Sequence, residues 1–489
     1  MITWGISALS HDASITVVQD QDILFAGHSE RYSKKKNDKF LNFDIIGEAI
    51  KHGVPDKVVW FEKPIAKKTR QACSGEWDEV KKSLPKKYLK AAGIQAPIEY
   101  VEHHSSHAAG GYFTSGFADA SILVVDAIGE WATTTIWQAS GSEMKKVFTQ
   151  QYPHSIGLFY SAMTHRVGLK PNEEEFILMG MAAYGKPRFV DAMKKDLIDF
   201  SECPNFVLKR NLHTGCMDWL ADVILTEQDT YDIAASAQVI VEEYMVNAAR
   251  WMARNLPSDN LVISGGCALN CVANEKIARE KLFSDIWIMP NPGDAGSSLG
   301  AIASANRQQL NWKHPYLGTN IDRPYDLTGV LSEIRENKIT AIANGRAEFG
   351  PRALGNRSLI ADPRGKDIKD KVNDIKKRQR FRPFAPMVLE EYAHDFFDMP
   401  VKTSPYMQFT ARCRVPELLP AICHHDGTSR VQTVNREQNE NLYILLSEFY
   451  HRTGCPILLN TSLNIKGQPL VDTWEDALKF GEKYSVKVF

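Results

Sequence analysis

Short β-branched and aromatic runs alternating with helix-forming stretches predict an α/β protein, and three features carry that expectation. The opening runs Ile2 to Ser7, Ser14 to Val18 and Ile23 to Ala26 read as three strands joined by polar turns. Farther along, Asn260 to Ser264 and Ile286 to Met289 each lead from an apolar strand through a Gly-containing loop into a helix, so one unit occurs twice. A stretch rich in Pro, Gly, Asn and Asp over 308–326 then interrupts helical periodicity, which predicts a larger domain over 1–320 and a smaller one over 321–489.

Between these landmarks the elements follow in order. Phe43 to His52 has helical periodicity, Lys57 to Phe61 is a compact apolar strand, and the Lys-rich stretch Trp77 to Ala92 reads as a helix. Strands are predicted at Ile98 to Val101 and Ser121 to Asp126, and a long helix at Ile233 to Asn255 that Pro257 ends. At 489 residues the chain exceeds one compact core, so two or three domains and a cleft are expected.

Composition excludes several classes. With 44% hydrophobic and 24% charged residues, the chain is neither collagen-like, a long coiled coil nor broadly disordered. A net charge of -1 supplies no global field for nucleic acid, leaving only local basic patches such as Lys34 to Lys36, Lys67-Lys68, Lys81-Lys82 and Lys86-Lys87. Such runs are more often solvated helix faces, and that reading is preferred. The opening MITWGISALSHDAS has no basic region followed by an apolar run, and no long uncharged apolar stretch occurs, so the expectation is a cytoplasmic protein without membrane contact. Eight scattered cysteines without a CxxC ladder fit reduced thiols.

Four constellations carry chemistry. On a helix, His103 and His107 would stand at i and i+4, a spacing with which two imidazoles grip one metal ion, and Asp126 ends a strand where its carboxylate would face a cleft. The alternative is that these histidines cap and pad a helix. The loops Ser264 to Asn270 and Pro292 to Gly296 bring glycines between strand and helix, where backbone N–H groups approach phosphates, and Asp294 suits a metal or a polar ribose group. Either loop alone reads as a tight turn; the two in tandem resemble the nucleotide cleft of the actin, sugar-kinase and heat-shock ATPase superfamily. In Ser10-His11-Asp12, His11 is placed as a general base, because an unperturbed imidazole with a pKa of ~6.5 is mostly neutral near pH 7; an Asx-type turn is the alternative. Finally Arg346, Arg352, Arg357, Arg382 and Arg430, embedded among Gly, Pro and Phe and joined by Asn460 to Asn464, form an oxyanion-binding set, since guanidinium forks match phosphate oxygens.

Together these residues resemble the O-carbamoyltransferases typified by the nodulation-factor, tobramycin and cephalosporin carbamoyltransferases. The segments that carry the resemblance run in order over almost the whole chain: HDAS, SERYSKKK, EHHSSHAAGGYFTSGF, VVDAIGE, ILMGMAAYGKP, ISGGCALN, MPNPGDAGSSLGAI, GRAEFGPRALGNRSLIADPR, FRPFAPMV and ILLNTSLNIKGQPLV. Ala127 departs from the family, which tends to carry Gly after the metal-site Asp. The resemblance implies an actin-like (ASKHA) large lobe joined to a smaller α/β lobe similar to the threonylcarbamoyl-adenylate synthase. It implies that carbamoyl phosphate and ATP form carbamoyl adenylate in the small lobe and that the large lobe passes the carbamoyl group to an alcohol. Carried over, His103, His107, Asp126 and Asp294 become ligands of a divalent metal, Fe2+ being expected, and His11 the base. Gly266 and Asn270 become adenylate contacts, and Arg346, Arg352, Arg382, Arg430 and Asn460 ligands for carbamoyl phosphate and ATP.

The acceptor expected first is a small-molecule hydroxyl, with a hydroxymethyl base in a nucleotide or nucleic acid left open, and a homodimer is an allowed assembly. Two rivals remain. A threonylcarbamoyl transferase acting on tRNA is disfavoured by the attached Arg-rich lobe with GPRALG, and a non-catalytic nucleotide-binding scaffold by the retention of His11 and all four presumed ligands.

Overall fold

The computed structural model describes residues 1–200, 202–221 and 225–489, and the chain divides into two compact units. The first comprises residues 1–29 and 37–312, the second residues 30–36 and 313–489.

The first unit is built on two five-stranded sheets of identical topology. In one, β1 (Ile2–Ser7), β2 (Ser14–Gln19), β3 (Asp22–His28), β4 (Lys57–Trp60) and β5 (Ile98–Tyr100) lie in the order β3-β2-β1-β4-β5. The β1–β2 and β2–β3 pairs are antiparallel, the β1–β4 and β4–β5 pairs parallel. In the other, β6 (Asp119–Gly129), β7 (Ala132–Ser140) and β8 (Glu143–Gln151) form the antiparallel meander. After a two-stranded ribbon, β9 (Ile198–Asp199) and β10 (Val207–Leu208), the strands β11 (Asn260–Ser264) and β12 (Asp285–Trp287) add in parallel beside β6. This doubled meander-plus-parallel order is the actin-like ATPase arrangement. The repeat lies between whole sheets, whereas the tandem strand–loop–helix units of the sequence are the neighbours β11 and β12.

Two helices pack against each other between these sheets. His103–Ser115 lies on the second sheet and Ser297–Asn306 on the first. Their crossing is close because Gly110 and Gly300 meet there: a Cβ on Gly300 would stand 2.0 Å from the Ser106 carbonyl oxygen. The long helix Glu227–Asn255 starts six residues before the apolar periodicity does, at a capping box between Thr226 and Asp229. The single helix expected over Trp77 to Ala92 is instead two, Trp77–Val80 and Pro85–Ala91. Pro85 explains the break, since its ring fits the first turn of a helix and not the interior.

The second unit centres on five strands in the order β14-β16-β22-β17-β21, namely β14 (Ile339–Ala343), β16 (Arg357–Ala361), β22 (Ile457–Ser462), β17 (Ala385–Leu389) and β21 (Gln432–Val434). A two-stranded sheet joins β13 (Tyr316–Ile321) to β15 (Gly345–Glu348), and a small one joins β18 (Phe397–Asp398), β19 (Thr410–Cys413) and β20 (Thr428–Arg430). Helices Leu327–Asn337, Glu440–Thr453 and Trp474–Tyr484 cover the main sheet and bury Leu331, Ile334, Leu445, Leu446 and Ala477 in one apolar core. All eight cysteines are free thiols, and among the described residues no helix is long and apolar enough to cross a membrane.

Candidate active site

Three elements of the first unit deliver four ligating side chains to one point. His103 and His107 project from the first turns of the His103–Ser115 helix. Asp126 sits in the stretch of β6 where the pairing with β7 slips between Val125 and Gly129, an irregularity that turns the side chain out of the ladder. Asp294 precedes the Ser297–Asn306 helix, whose glycine crossing brings it to the histidines.

The Nε2 atoms of His103 and His107 are 3.0 Å apart. They stand 3.2 and 3.4 Å from Asp126 Oδ2, and 3.4 and 3.5 Å from Asp294 Oδ1. All four ligand atoms lie within 4.8 Å of one another. Bonds of about 2.0–2.2 Å to a divalent ion would separate neighbouring ligands by about 3.0–3.5 Å, so the residues fit a metal. Two imidazoles with two carboxylates suit a first-row divalent ion and leave positions open for substrate oxygens.

The surroundings orient these ligands. His107 Nδ1 donates to the Pro292 carbonyl at 3.0 Å, which leaves the Nε2 lone pair facing the cluster. The Glu62 carboxylate stands 3.9 Å from His103 Nδ1. Burial opposes ionisation of Asp126 and Asp294, but the two imidazoles outweigh it and hold both carboxyls below their usual range. His104 lies outside the cluster: burial and the neighbouring histidines push its pKa well below 6.5, and its Nδ1 bonds Thr135 Oγ1 at 3.0 Å.

Gly266 and Asn270 both have structural roles in this scaffold. The Gly266 N–H donates to Asp126 Oδ1 at 3.3 Å, and Gly265, at φ +87, lies so close to β6 that a Cβ would meet the Val125 carbonyl at 2.3 Å. The Asn270 amide exchanges hydrogen bonds with Gln238 at 3.0 and 3.1 Å and caps the helix Cys271–Arg279 through Ala273 N–H. His11 corrects the expectation of a neutral base. Burial lowers its pKa, but the Asp12 hydrogen bond and charge, aided by Asp294, raise it to about 9. Both ring nitrogens donate, Nδ1 to Asp12 at 3.0 Å and Nε2 to the Asn172 carbonyl at 2.9 Å, so at neutral pH the ring is an imidazolium.

The second unit gathers cations. Lys376 is buried, its Nζ donating to Ser462 Oγ, to the Asn464 carbonyl and to Asn464 Oδ1 at 3.2, 2.8 and 2.9 Å. Burial, then Arg378 and Arg382, push its pKa well below the lysine range; burial, Arg382 and Arg430 do the same to Arg378. Like charges brought together in a buried setting mark a place for an anion. Asn460, in β22, donates from Nδ2 to Ala353 and Gln432, and its buried Oδ1 has no partner. Arg352 lies half-buried in the loop after β15. Arg346 departs from the expected open fork, because its guanidinium is bound to the Leu317 and Gly318 carbonyls of β13. Sequence reasoning set the stretch Asn460 to Asn464 beside the arginines but assigned no role to Lys376, which the spacing K-x-R places next to Arg378.

The first unit thus holds a two-His, two-Asp cluster and the second a group of buried cations. Family models described as Carbamoyltransferase N-terminus and Carbamoyltransferase C-terminus match residues 56–303 and 331–489. The chain belongs to the carbamoyltransferase family, and it is an enzyme of that transferase class. It is 36% identical to an uncharacterised protein of Synechocystis over 97% of this chain and 93% of that one. Nodulation protein NolO of Bradyrhizobium diazoefficiens is 32% identical over 77% of this chain and 75% of its own. Among solved structures, full-length HypF in its phosphate- and nucleotide-bound form aligns with a TM-score of 0.37 at 12% identity, covering 63% of this chain and 46% of that one.

Proposed function

We propose that the chain is an ATP-dependent O-carbamoyltransferase whose two units divide two steps. In the second unit carbamoyl phosphate, ATP and water yield carbamoyl adenylate, phosphate and pyrophosphate. In the first unit the acceptor hydroxyl oxygen bonds to the carbamoyl carbon and the bond from that carbon to the AMP phosphate oxygen breaks. AMP leaves with the electron pair, and the hydroxyl proton passes to solvent. The observation that carries this reading is the pairing of a buried cationic cluster with a separate two-His, two-Asp cluster in a carbamoyltransferase chain.

Arg378, Arg382, Arg430 and Arg352 take the phosphate oxygens of the first step, Lys376 ties Ser462 and Asn464 in place beside them, and the Asn460 Oδ1 accepts from the carbamoyl amide. In the first unit His103, His107, Asp126 and Asp294 hold the divalent ion, for which Fe2+ is the proposed identity. When bound there, such an ion would supply Lewis-acid polarisation of a substrate carbonyl. His11, with both ring N–H groups held by Asp12 and the Asn172 carbonyl, lends its charge to the leaving phosphate instead of taking the hydroxyl proton.

A small alcohol is the proposed acceptor. Four of the lysines that would track a polymer backbone are engaged in ion pairs: Lys34 with Asp476, Lys36 with Glu30, Lys67 with Glu62, and Lys82 with Glu79. The test is mass spectrometry of a panel of hydroxylated acceptors incubated with carbamoyl phosphate, ATP and the metal-loaded protein. Gain of one carbamoyl group by an acceptor with matching AMP release is expected; pyrophosphate released by no combination of substrates overturns the reading.

A further inference from the structure

Residues 30–36 follow β3 in the chain yet belong to the second unit. Most of the polar side chains there are tied in place. Tyr32 Oη pairs with Thr319 Oγ1 at 2.7 Å, Lys34 with Asp476, and Lys36 with Glu30 at 2.9 Å. Arg31 differs. It is 3% exposed, and one amino group donates to the Gly350 carbonyl at 2.8 Å, but its Nε is buried without a hydrogen-bond partner. Among the described residues no carboxylate lies within ion-pair distance of it.

A guanidinium carries five donors and a permanent charge, and burying one with a single carbonyl for company is costly unless something else satisfies it. An oxyanion is the partner whose geometry matches, because a fork of N–H groups meets phosphate oxygens with charge-assisted hydrogen bonds. The location narrows the choice, since Gly350 is two residues before Arg352 in the loop that the proposed first step uses for phosphate.

We propose that Arg31 is a ligand for a phosphoryl oxyanion in the second unit, one amino group fixing the Gly350 loop and the unpartnered side of the guanidinium meeting the anion. The inference rests on the reading of that unit as the site of carbamoyl-adenylate formation. It places a binding residue of the first step in the N-terminal part of the sequence, outside the segment that carries Arg352, Arg382 and Arg430. Carbamoyl phosphate and ATP both offer the required chemistry, and titrating each alone distinguishes them.

The experiment is isothermal titration of the full chain with carbamoyl phosphate alone and with a non-hydrolysable ATP analogue alone, for wild type, Arg31→Met, Arg31→Lys and Arg352→Met. Loss of a charge-assisted hydrogen bond predicts about tenfold or greater weakening of one of the two ligands in Arg31→Met, with the other unchanged and Arg31→Lys intermediate. The ligand that weakens names the anion. Equal retention of both ligands, or equal loss of both, overturns the proposal, the second because it marks collapse of the loop. If Arg31→Met does not fold, Arg31→Lys decides by the same comparison. Weakening in Arg352→Met with none in Arg31→Met sinks this proposal alone; a wild-type chain that binds neither ligand sinks the reading beneath it.

Discussion

Replacing Gly300 by alanine puts a methyl group where the structure has none to spare. The added Cβ would stand 2.0 Å from the Ser106 carbonyl oxygen and 2.8 Å from its carbon. Carbon–oxygen contacts settle at about 3.3 Å, so the two central helices must separate by roughly 1 Å. Ser106 is next to His107 on one helix, and Asp294 leads into the other, so the separation falls on the 3.4 and 3.5 Å spacings between Asp294 and the histidines. A gap of that size exceeds what bonds of about 2.1 Å to one ion can close without a further shift. Overpacking of this kind costs about 1–3 kcal/mol, which at about 2–4 °C per kcal/mol lowers the melting temperature by several degrees. Gly47 supplies the control. It lies exposed in the Phe43–Lys51 helix, and a Cβ there meets nothing within 4 Å, so Gly47→Ala should leave metal untouched and stabilise by about 0.5–1 kcal/mol. Metal content after loading with ferrous iron, measured by plasma emission, and calorimetric melting report both effects. A Gly300→Ala protein that keeps stoichiometric metal and melts no lower than wild type refutes the packing argument.

His107→Ala should lose bound metal and carbamoyl transfer together while still releasing pyrophosphate, as plasma emission and a pyrophosphate assay will show. Lys376→Met should do the reverse, cutting pyrophosphate release by about tenfold or more with metal content unchanged, because it frees Ser462 and Asn464 from the group that positions them. The pKa of His11 rises from 6.5 to about 9 in the folded chain, so its contribution to stability is full below pH 6.5 and is lost as pH climbs through 9. With the side chain 40% exposed, solvent reduces that contribution to the order of 1 kcal/mol. Denaturant unfolding of His11→Asn against wild type should therefore show a difference at pH 6 that is gone by pH 9.5; a difference that grows with pH would reverse the assignment of His11 as a cation.

Much of the two-His, two-Asp cluster is legible in the sequence because its signals are local. An H-x-x-x-H spacing on a helix and an Asp at the end of an apolar strand each state their geometry within a few residues. The cationic site is less so. Lys376 meets Ser462 and Asn464 only because the loop after the Ile368–Ile375 helix reaches the end of β22, a contact across 86 and 88 residues that no periodicity encodes. The charge of His11 is a mixed case: its main source, Asp12, is the next residue in the sequence, whereas the added pull of Asp294 comes from the far end of the same unit and no local pattern encodes it. Arg346 and Asn270 show the opposite difficulty. Their residue types suit ligand binding, and only the fold reveals that Arg346 braces β13 and that Asn270 is paired with Gln238. The course of residues 30–36 into the second unit is likewise invisible in a segment that reads as a basic surface stretch.

The doubled sheet topology explains why the four ligands need so little local support. Each sheet packs one of the two central helices, and those helices carry or adjoin His103, His107 and Asp294, while Asp126 comes from the first strand of the second sheet. Ligand spacing is therefore set by how closely two sheet-anchored helices cross, which the small residues Gly110 and Gly300 determine. Rigid elements hold such a geometry better than loops do. Two buried carboxylates cannot share this space without positive charge, and imidazolium or a divalent ion are the alternatives available to the cluster. The Pro292 carbonyl suits an ion, because it accepts the Nδ1 proton of His107 and turns Nε2 toward the cluster. Metal content and helix packing should thus vary together across substitutions at this crossing, while changes confined to the second unit leave both where they are.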